Sequence, residues 1–324
     1  VKVLLTGCAG FIGSKVAEEL IAAGHDVIGV DNLDPAYPVV LKEWRLRQLA
    51  SRRGFSFRPG SVADEGFLAD LWAAAGPFDA VINLAARAGV RQSLRDPAGY
   101  YQVNVLGGLN LLEMCRHRQV PRFILASTSS LYGDGPRPFR EDQPTDRPLS
   151  PYAASKKAAE VLAYTYHRLF GLNVVVLRYF TVYGPAGRPD MSIFRFIRRI
   201  AEGLPIVVYG DGTQERDFTY VDDIARGTVA ALDLSGFEVI NLGSDRPVEL
   251  NRVILTIEGI LGRQAVIDRR PRHPADVQAT WADISRARQL LAWQPQVDLE
   301  TGLELTVSWY LANRDWAKDI EVGD

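Results

Sequence analysis

The chain has 324 residues, 47% hydrophobic and 23% charged, with a formal net charge of −2. That is ample material for a buried core, and the near-neutral balance leaves no electrostatic footprint for nucleic acid or an acidic membrane surface. Cys8 and Cys115 alone imply no disulfide framework, which fits a reducing cytoplasm, and no apolar run approaches the ~18 residues of a membrane span.

In chain order, residues 1–5 form a short apolar run that reads as a strand rather than a signal peptide. Gly7, Gly10 and Gly13 follow in a GxxGxxG spacing, and residues 14–23 have helical periodicity. Strand, glycine turn and helix are the context of a dinucleotide fingerprint, because glycines let the backbone approach a pyrophosphate that then rests on the helix N-terminus. The next strand, 26–30, leads into Asp31 and Asn32. An acidic residue about 20 positions after the glycines accepts a hydrogen bond from the adenosine ribose and repels a 2′-phosphate, so NAD is expected over NADP. Pro35 and Pro38 break the chain, and residues 41–53 read as a charged surface helix.

Strands at 55–58, 80–84, 123–126 and 174–177 continue the alternation as unbroken apolar runs, the pattern of strands buried on both faces. The expected fold is α/β: a doubly wound parallel sheet of the Rossmann type. After Gly184 the rhythm changes to a Gly/Pro-rich loop, an Arg-rich helix near 194–202 and short strands near 206–209 and 218–220, and residues 222–241 return to the sheet. We therefore expect residues 1–180 with about 221–245 to bind the dinucleotide, and 181–220 with 246–324 to form a smaller, discontinuous substrate domain.

Clusters stand where strands end: Asn83-Leu84-Ala85-Ala86, then Ser127-Thr128-Ser129-Ser130, then Arg178 to Gly184 with Tyr179 and Thr181. Ser150 and Pro151 then begin a helix, Ser as the cap and Pro at the first helical position. That helix sets Tyr152 and Lys156 four apart on one face. A neighbouring ammonium favours the phenolate, so the tyrosine's pKa is expected to fall from about 10 and make it a general base.

Gly7-x-x-Gly10-x-x-Gly13, Asp31, Asn83-x-Ala-Ala, Ser127-Thr128 and Tyr152-x-x-x-Lys156 together resemble the extended short-chain dehydrogenase/reductase family, over essentially the whole chain. The resemblance implies Tyr152 as base, Lys156 on the nicotinamide ribose lowering the tyrosine's pKa, and Thr128 on the reacting hydroxyl. It implies an NAD site from Gly7, Gly10, Phe11, Ile12, Gly13, Asp31, Asn32, Ser61, Val62, Leu84, Ala85, Ala86, Asn104, Ser127, Tyr179 and Val182, with Tyr152 and Lys156. Within the family, residues 88–93 and 180–191 are similar to the UDP-glucuronate 4-epimerases, and 216–223 and 276–283 resemble nucleotide-sugar segments of the wider subfamily. Those likenesses imply Arg216 and Arg272 near a diphosphate and Asp276 near a uridine ribose. Thr128, Ser129, Ser130, Tyr152, Thr181 and Met191 are expected around the hexose, with Arg91 or Arg188 as further candidates for its carboxylate. No metal is implied.

Three positions depart from the family pattern: Cys8 stands for an alanine, Ser61 for an aspartate that binds adenine, and Asn83 for a histidine. Sugar 4,6-dehydratases of the superfamily carry an Asp-Glu pair where Ser129 and Ser130 stand, and UDP-glucuronate decarboxylases typically a glutamate at Ser130. A carboxylate there would repel a uronate, whereas hydroxyls can donate to it. The expectation is thus NAD-dependent 4-epimerisation of a UDP-sugar, UDP-glucuronate to UDP-galacturonate, with UDP-glucose 4-epimerase and UDP-glucuronate decarboxylase as the alternatives. A homodimer is implied by the family, paired through helices near 100–118 and 151–169.

Overall fold

A computed structural model describes residues 1–271 and 277–322. Arg272 and Asp276 lie outside the described residues. In chain order the strands are β1 (Lys2–Thr6), β2 (Asp26–Asp31), β3 (Phe55–Pro59), β4 (Ala80–Asn83), β5 (Arg122–Thr128), β6 (Asn173–Tyr179), β7 (Thr181–Tyr183), β8 (Ile206–Tyr209), β9 (Glu215–Tyr220), β10 (Phe237–Leu242), β11 (Pro247–Glu249) and β12 (Ile267–Arg270).

Seven of them form a parallel sheet in the order β10-β6-β5-β4-β1-β2-β3. This is the expected doubly wound architecture. Alternate residues of β1 feed separate cores: Val3 and Leu5 join the cluster on one face, Leu4 the cluster on the other. β3, at the sheet edge, departs from the expected double burial, since none of its residues is fully covered. Residues 222–241 do return to the sheet, as a helix (Val221–Ala230) followed by β10 against β6.

The sheet's winding reverses at β1, which has β2 on one side and β4 on the other. The register sets Thr6 level with both Val30 and Asn83 there. Over this rim stand β9, with β7 parallel and β11 antiparallel to it, and the parallel pair β8 and β12. Of these, β7, β11 and β12 were not expected; each is three or four residues long, too short to display a period. A third core of Phe194, Ile197, Ile206, Val208, Leu303 and Tyr310 lies beneath them.

The helix expected to be a charged surface element spans Val39–Ala50, and it is not merely a surface helix. Lys42 is 7% and Arg45 2% exposed. Arg45 donates to Ala186 O at 2.7 and 3.1 Å, Gly187 O at 3.3 Å, Ala9 O at 3.1 Å and Tyr37 Oη at 2.8 Å. One guanidinium thus clamps the glycine turn to the loop after β7. Arg45→Met strands those carbonyls, and a charge-assisted bond is worth about 1.5–3 kcal/mol, so equilibrium urea unfolding should show a loss of about 2–4 kcal/mol. A loss below about 0.5 kcal/mol would mean the clamp contributes nothing.

Candidate active site

At the switch point lies a cavity of about 320 Å³. Its wall holds Gly7, Gly10, Phe11, Ile12, Gly13, Asp31, Asn32, Ser61, Val62, Leu84, Ala85, Ala86, Ser127, Tyr152, Lys156 and Tyr179 of the expected cofactor set. The glycines are required by close approach. A Cβ on Gly13 would sit 2.0 Å from Gly7 O, and one on Gly7, whose φ is +72°, would sit 2.8 Å from Ala85 N. The first helix, Phe11–Ala22, has no side-chain cap, so its leading N–H groups face the turn. Together with the carboxylate below, this cradle fits a dinucleotide: bare backbone for the pyrophosphate and an acceptor at the end of β2.

That acceptor is Asp31. Its Oδ1 accepts from Leu33 N at 2.8 Å and lies 3.4 Å from Lys42 Nζ, and its Oδ2 accepts from Ala9 N at 3.2 Å. Lys42 was missed in the sequence because it sits in an ordinary charged helical pattern. Its burial depends on Asp31 and on the Tyr37 ring, 5.3 Å from Nζ. Of the three departures, Asn83 is buried and accepts from Thr6 Oγ1 at 2.8 Å, Ser61 Oγ accepts from Ala63 N at 3.2 Å, and Cys8 is buried in the core.

The helix bearing the tyrosine and lysine spans Pro151–Phe170, and Ser150 Oγ caps it by accepting from Ala153 N at 3.2 Å. Tyr152 is half-buried, with its ring edge-on to Tyr100 at 6.1 Å. Its pKa departs from expectation. Burial pushes the phenol above its ordinary value, and the groups that favour the phenolate are Thr128, by a hydrogen bond, and Arg188, by charge. Lys156 instead donates to Ala126 O at 2.9 Å, and burial draws its ammonium down to about 8, against the pull of Glu160.

Asn104 lies behind the cavity wall, in a π-helical turn at Gln102–Leu106. Its side chain accepts from Arg87 N at 2.9 Å and donates to Arg87 O at 3.0 Å and to Ser155 Oγ at 2.9 Å, tying the loop after β4 to the Tyr152 helix. Arg87 lines the cavity, pairs with Asp96 and lies 3.7 Å from Asp34. Neither it nor Asp34 was singled out in the sequence, where solvated loop charges look the same.

The expected substrate residues divide. Thr181, Met191 and Arg188 line a small crevice beside the cavity, together with Val182 of the expected cofactor set, and Arg188 lines both. Arg188 is paired with Asp190 at 2.5 Å and donates to Ala88 O at 3.2 Å. Thr128 Oγ1 accepts from Ser130 N at 3.1 Å and lies 3.2 Å from Ser130 Oγ, so part of the hydroxyl cluster caps its own turn, the short helix Ser129–Tyr132. The Arg91 guanidinium lies 4.1 Å from the Tyr209 ring centre, and Arg216, on β9, donates to Glu215 O at 2.7 Å.

Because Lys42 stands beside Asp31, Asp31→Ser should do more than remove a repulsion. It leaves an ammonium facing the 2′ position, and preference for NAD over NADP in a binding titration should fall about ten-fold or more. Adding Lys42→Met should then weaken NADP again. An unchanged preference places the ribose elsewhere.

Residues 3–243 match the model of the NAD dependent epimerase/dehydratase family. The chain is 52% identical over 320 residues to a UDP-glucuronate 4-epimerase of Thermodesulfobacterium geofontis (strain OPF15), covering 98% of this chain and 99% of the relative. Among solved structures it is similar to the UDP-glucuronic acid 4-epimerase from Bacillus cereus in complex with UDP-glucuronic acid and NAD, with a TM-score of 0.90, 38% identity, and 97% and 100% of the two chains covered. A UDP-glucose 4-epimerase from Thermotoga maritima with UDP-glucose follows at a TM-score of 0.87 and 33% identity, covering 97% of this chain and 100% of its own. The chain therefore belongs to the NAD dependent epimerase/dehydratase family.

Proposed function

We propose that the protein interconverts UDP-glucuronate and UDP-galacturonate by NAD-dependent epimerisation at carbon 4. The observation that carries this is the pairing of Tyr152 and Lys156 in the switch-point cavity with neutral serines, Ser129 and Ser130, directly after Thr128. The names of the relatives in the same family support it. Residues 1–180 with about 221–245 would hold the cofactor, and 181–220 with 246–324 the nucleotide sugar, Arg216 meeting the diphosphate.

Bound NAD supplies a reversible hydride acceptor for carbon 4. Tyr152 takes the 4-hydroxyl proton as a 4-keto sugar forms, with Thr128 and Arg188 favouring the phenolate, and returns it after the ketone has turned over in the site. A 4-keto uronate is a β-keto acid, and it loses carbon dioxide most readily when its carboxylate bond stands perpendicular to the ketone plane. Ser129, Ser130 and Thr181 hold that bond away from perpendicular through neutral donors, which orient a carboxylate without locking the ring. The charge of Arg188, already engaged by Asp190, supports giving this role to hydroxyls.

We read the molecule further as a homodimer of a reducing cytoplasm. Tyr101, Leu106, Val161, Tyr164, Leu169 and Phe170 are exposed apolar side chains on or beside the helices at 100–118 and 151–169, and Cys8 and Cys115 are both free thiols. Sedimentation at micromolar concentration should give twice the 35.9 kDa chain mass, and a monomer would overturn the dimer. Incubation with UDP-glucuronate should yield UDP-galacturonate without a pentose product and outpace the epimerisation of UDP-glucose. Tyr152→Phe should lower turnover by roughly two or more orders of magnitude with NAD binding nearly intact. A pentose product, or faster turnover of UDP-glucose, would replace the proposal by one of its relatives' reactions.

A further inference from the structure

Tyr152, Lys156 and Glu160 recur every four residues on the Pro151–Phe170 helix and so share a face. Glu160 is 4% exposed. Its Oε1 accepts from Ser127 Oγ at 2.6 Å and Arg178 Nε at 3.0 Å, and its Oε2 accepts from Arg178 Nη2 at 2.8 Å. Arg178, 3% exposed on β6, also donates to Tyr132 Oη at 2.9 Å and to Glu141 O at 3.3 Å. Tyr132 in turn donates to Asn241 Oδ1 at 2.6 Å. The carboxylate is therefore held rigidly from two strands, one turn beyond the lysine.

A buried ion pair is a poor device for stability, because desolvating both charges offsets most of their attraction and apolar residues of similar volume do as well or better. A buried ammonium needs an anion nearby. The hydrogen bond of Lys156 is to the neutral carbonyl of Ala126, the residue preceding the serine that binds Glu160. We propose that Glu160 is a positioning residue of the catalytic helix: oriented by Ser127 and Arg178, its carboxylate keeps Lys156 cationic beneath Tyr152. The proposal rests on the reading that Tyr152 and Lys156 carry the reaction.

The other charged or titratable groups around this carboxylate are Arg178 from β6, Lys157 at 4.0 Å on the same helix, and Tyr132 and Glu141 from the segment after β5. Glu141 is turned to the N–H of Asn241 on β10. Burial draws Lys156 down to about 8 even with Glu160 opposing it, so removing Glu160 moves the lysine further toward neutrality at working pH. Since the charged form is the one lost as pH rises, the effect appears on the alkaline side.

Glu160→Gln leaves the Arg178 charge buried without its partner, so the test uses it together with Glu160→Gln/Arg178→Met, which removes the pair while keeping volume. Lys156 is followed by 13C NMR of lysine-labelled, NAD-loaded protein, its resonance identified by its absence in Lys156→Met. The midpoint should fall by about one pH unit in the double variant. The alkaline limb of turnover should move down by the same amount while Tm changes little. An unmoved midpoint and limb, with only Tm lowered, would make the pair purely structural and overturn the proposal. The NMR titration needs no substrate, so a wild-type protein inactive on UDP-sugars would refute the proposed function and leave the role of Glu160 decided on its own.

Discussion

In a parallel sheet the carboxyl ends of all strands share one rim, so segments far apart in the chain meet there without any sequence relation to one another. Here that rim gathers the glycine turn after β1, Asp31 at the end of β2, Asn83 at the end of β4, Thr128 at the end of β5 and Tyr179 at the end of β6. Register makes the gathering definite: Thr6 is level with Asn83, Asn83 with Leu125, and Thr128 with Tyr179. Reversal of winding at β1 opens the crevice, and the short strands β7 and β9 roof it. Two buried polar side chains then stiffen the rim. Arg45 binds the carbonyls of the glycine turn and of the loop after β7, and Asn104 binds the backbone of Arg87 and the hydroxyl of Ser155. A cradle that must accept a long flexible cofactor gains from such cross-links, because loops left free would have to be ordered on binding.

Burial has opposite consequences for the two groups on the Tyr152 helix. It makes the phenol harder to ionise and the ammonium easier to neutralise, so both drift toward the uncharged state unless something behind the wall resists. Thr128 and Arg188 resist for the tyrosine, Glu160 for the lysine. The tyrosine and lysine are therefore not a self-contained pair. Their protonation depends on groups from β5, from the loop after β7 and from the next turn of the helix.

Signals confined to a few residues were legible in the sequence: the glycine spacing before a helix, the acid ending β2, the Ser-Pro helix start and the hydroxyls ending β5. Each works through local backbone geometry. What escaped was long-range. Arg45 looks like a solvated helix charge until Ala186, 141 positions on, supplies the carbonyl that buries it. The expected pull of Lys156 on Tyr152 followed from helical spacing, yet the ammonium turns to Ala126 O on β5, a partner that only the sheet supplies. β3 was read as doubly buried from its composition, and only the strand order shows it at an edge. Placement of Arg91 on Tyr209 joins the short helix Val90–Ser93 after β4 to a strand over 110 residues later, and no motif encodes that contact.

The central claim is that carbon 4 gives up its hydrogen as hydride and receives the same hydrogen back on the other face within one closed site. It is tested most directly by NMR of the product from UDP-glucuronate deuterated at carbon 4. The account predicts UDP-galacturonate that retains the deuterium at carbon 4 in ordinary water. Deuterium lost to solvent in that product, or a pentose product in its place, would contradict it.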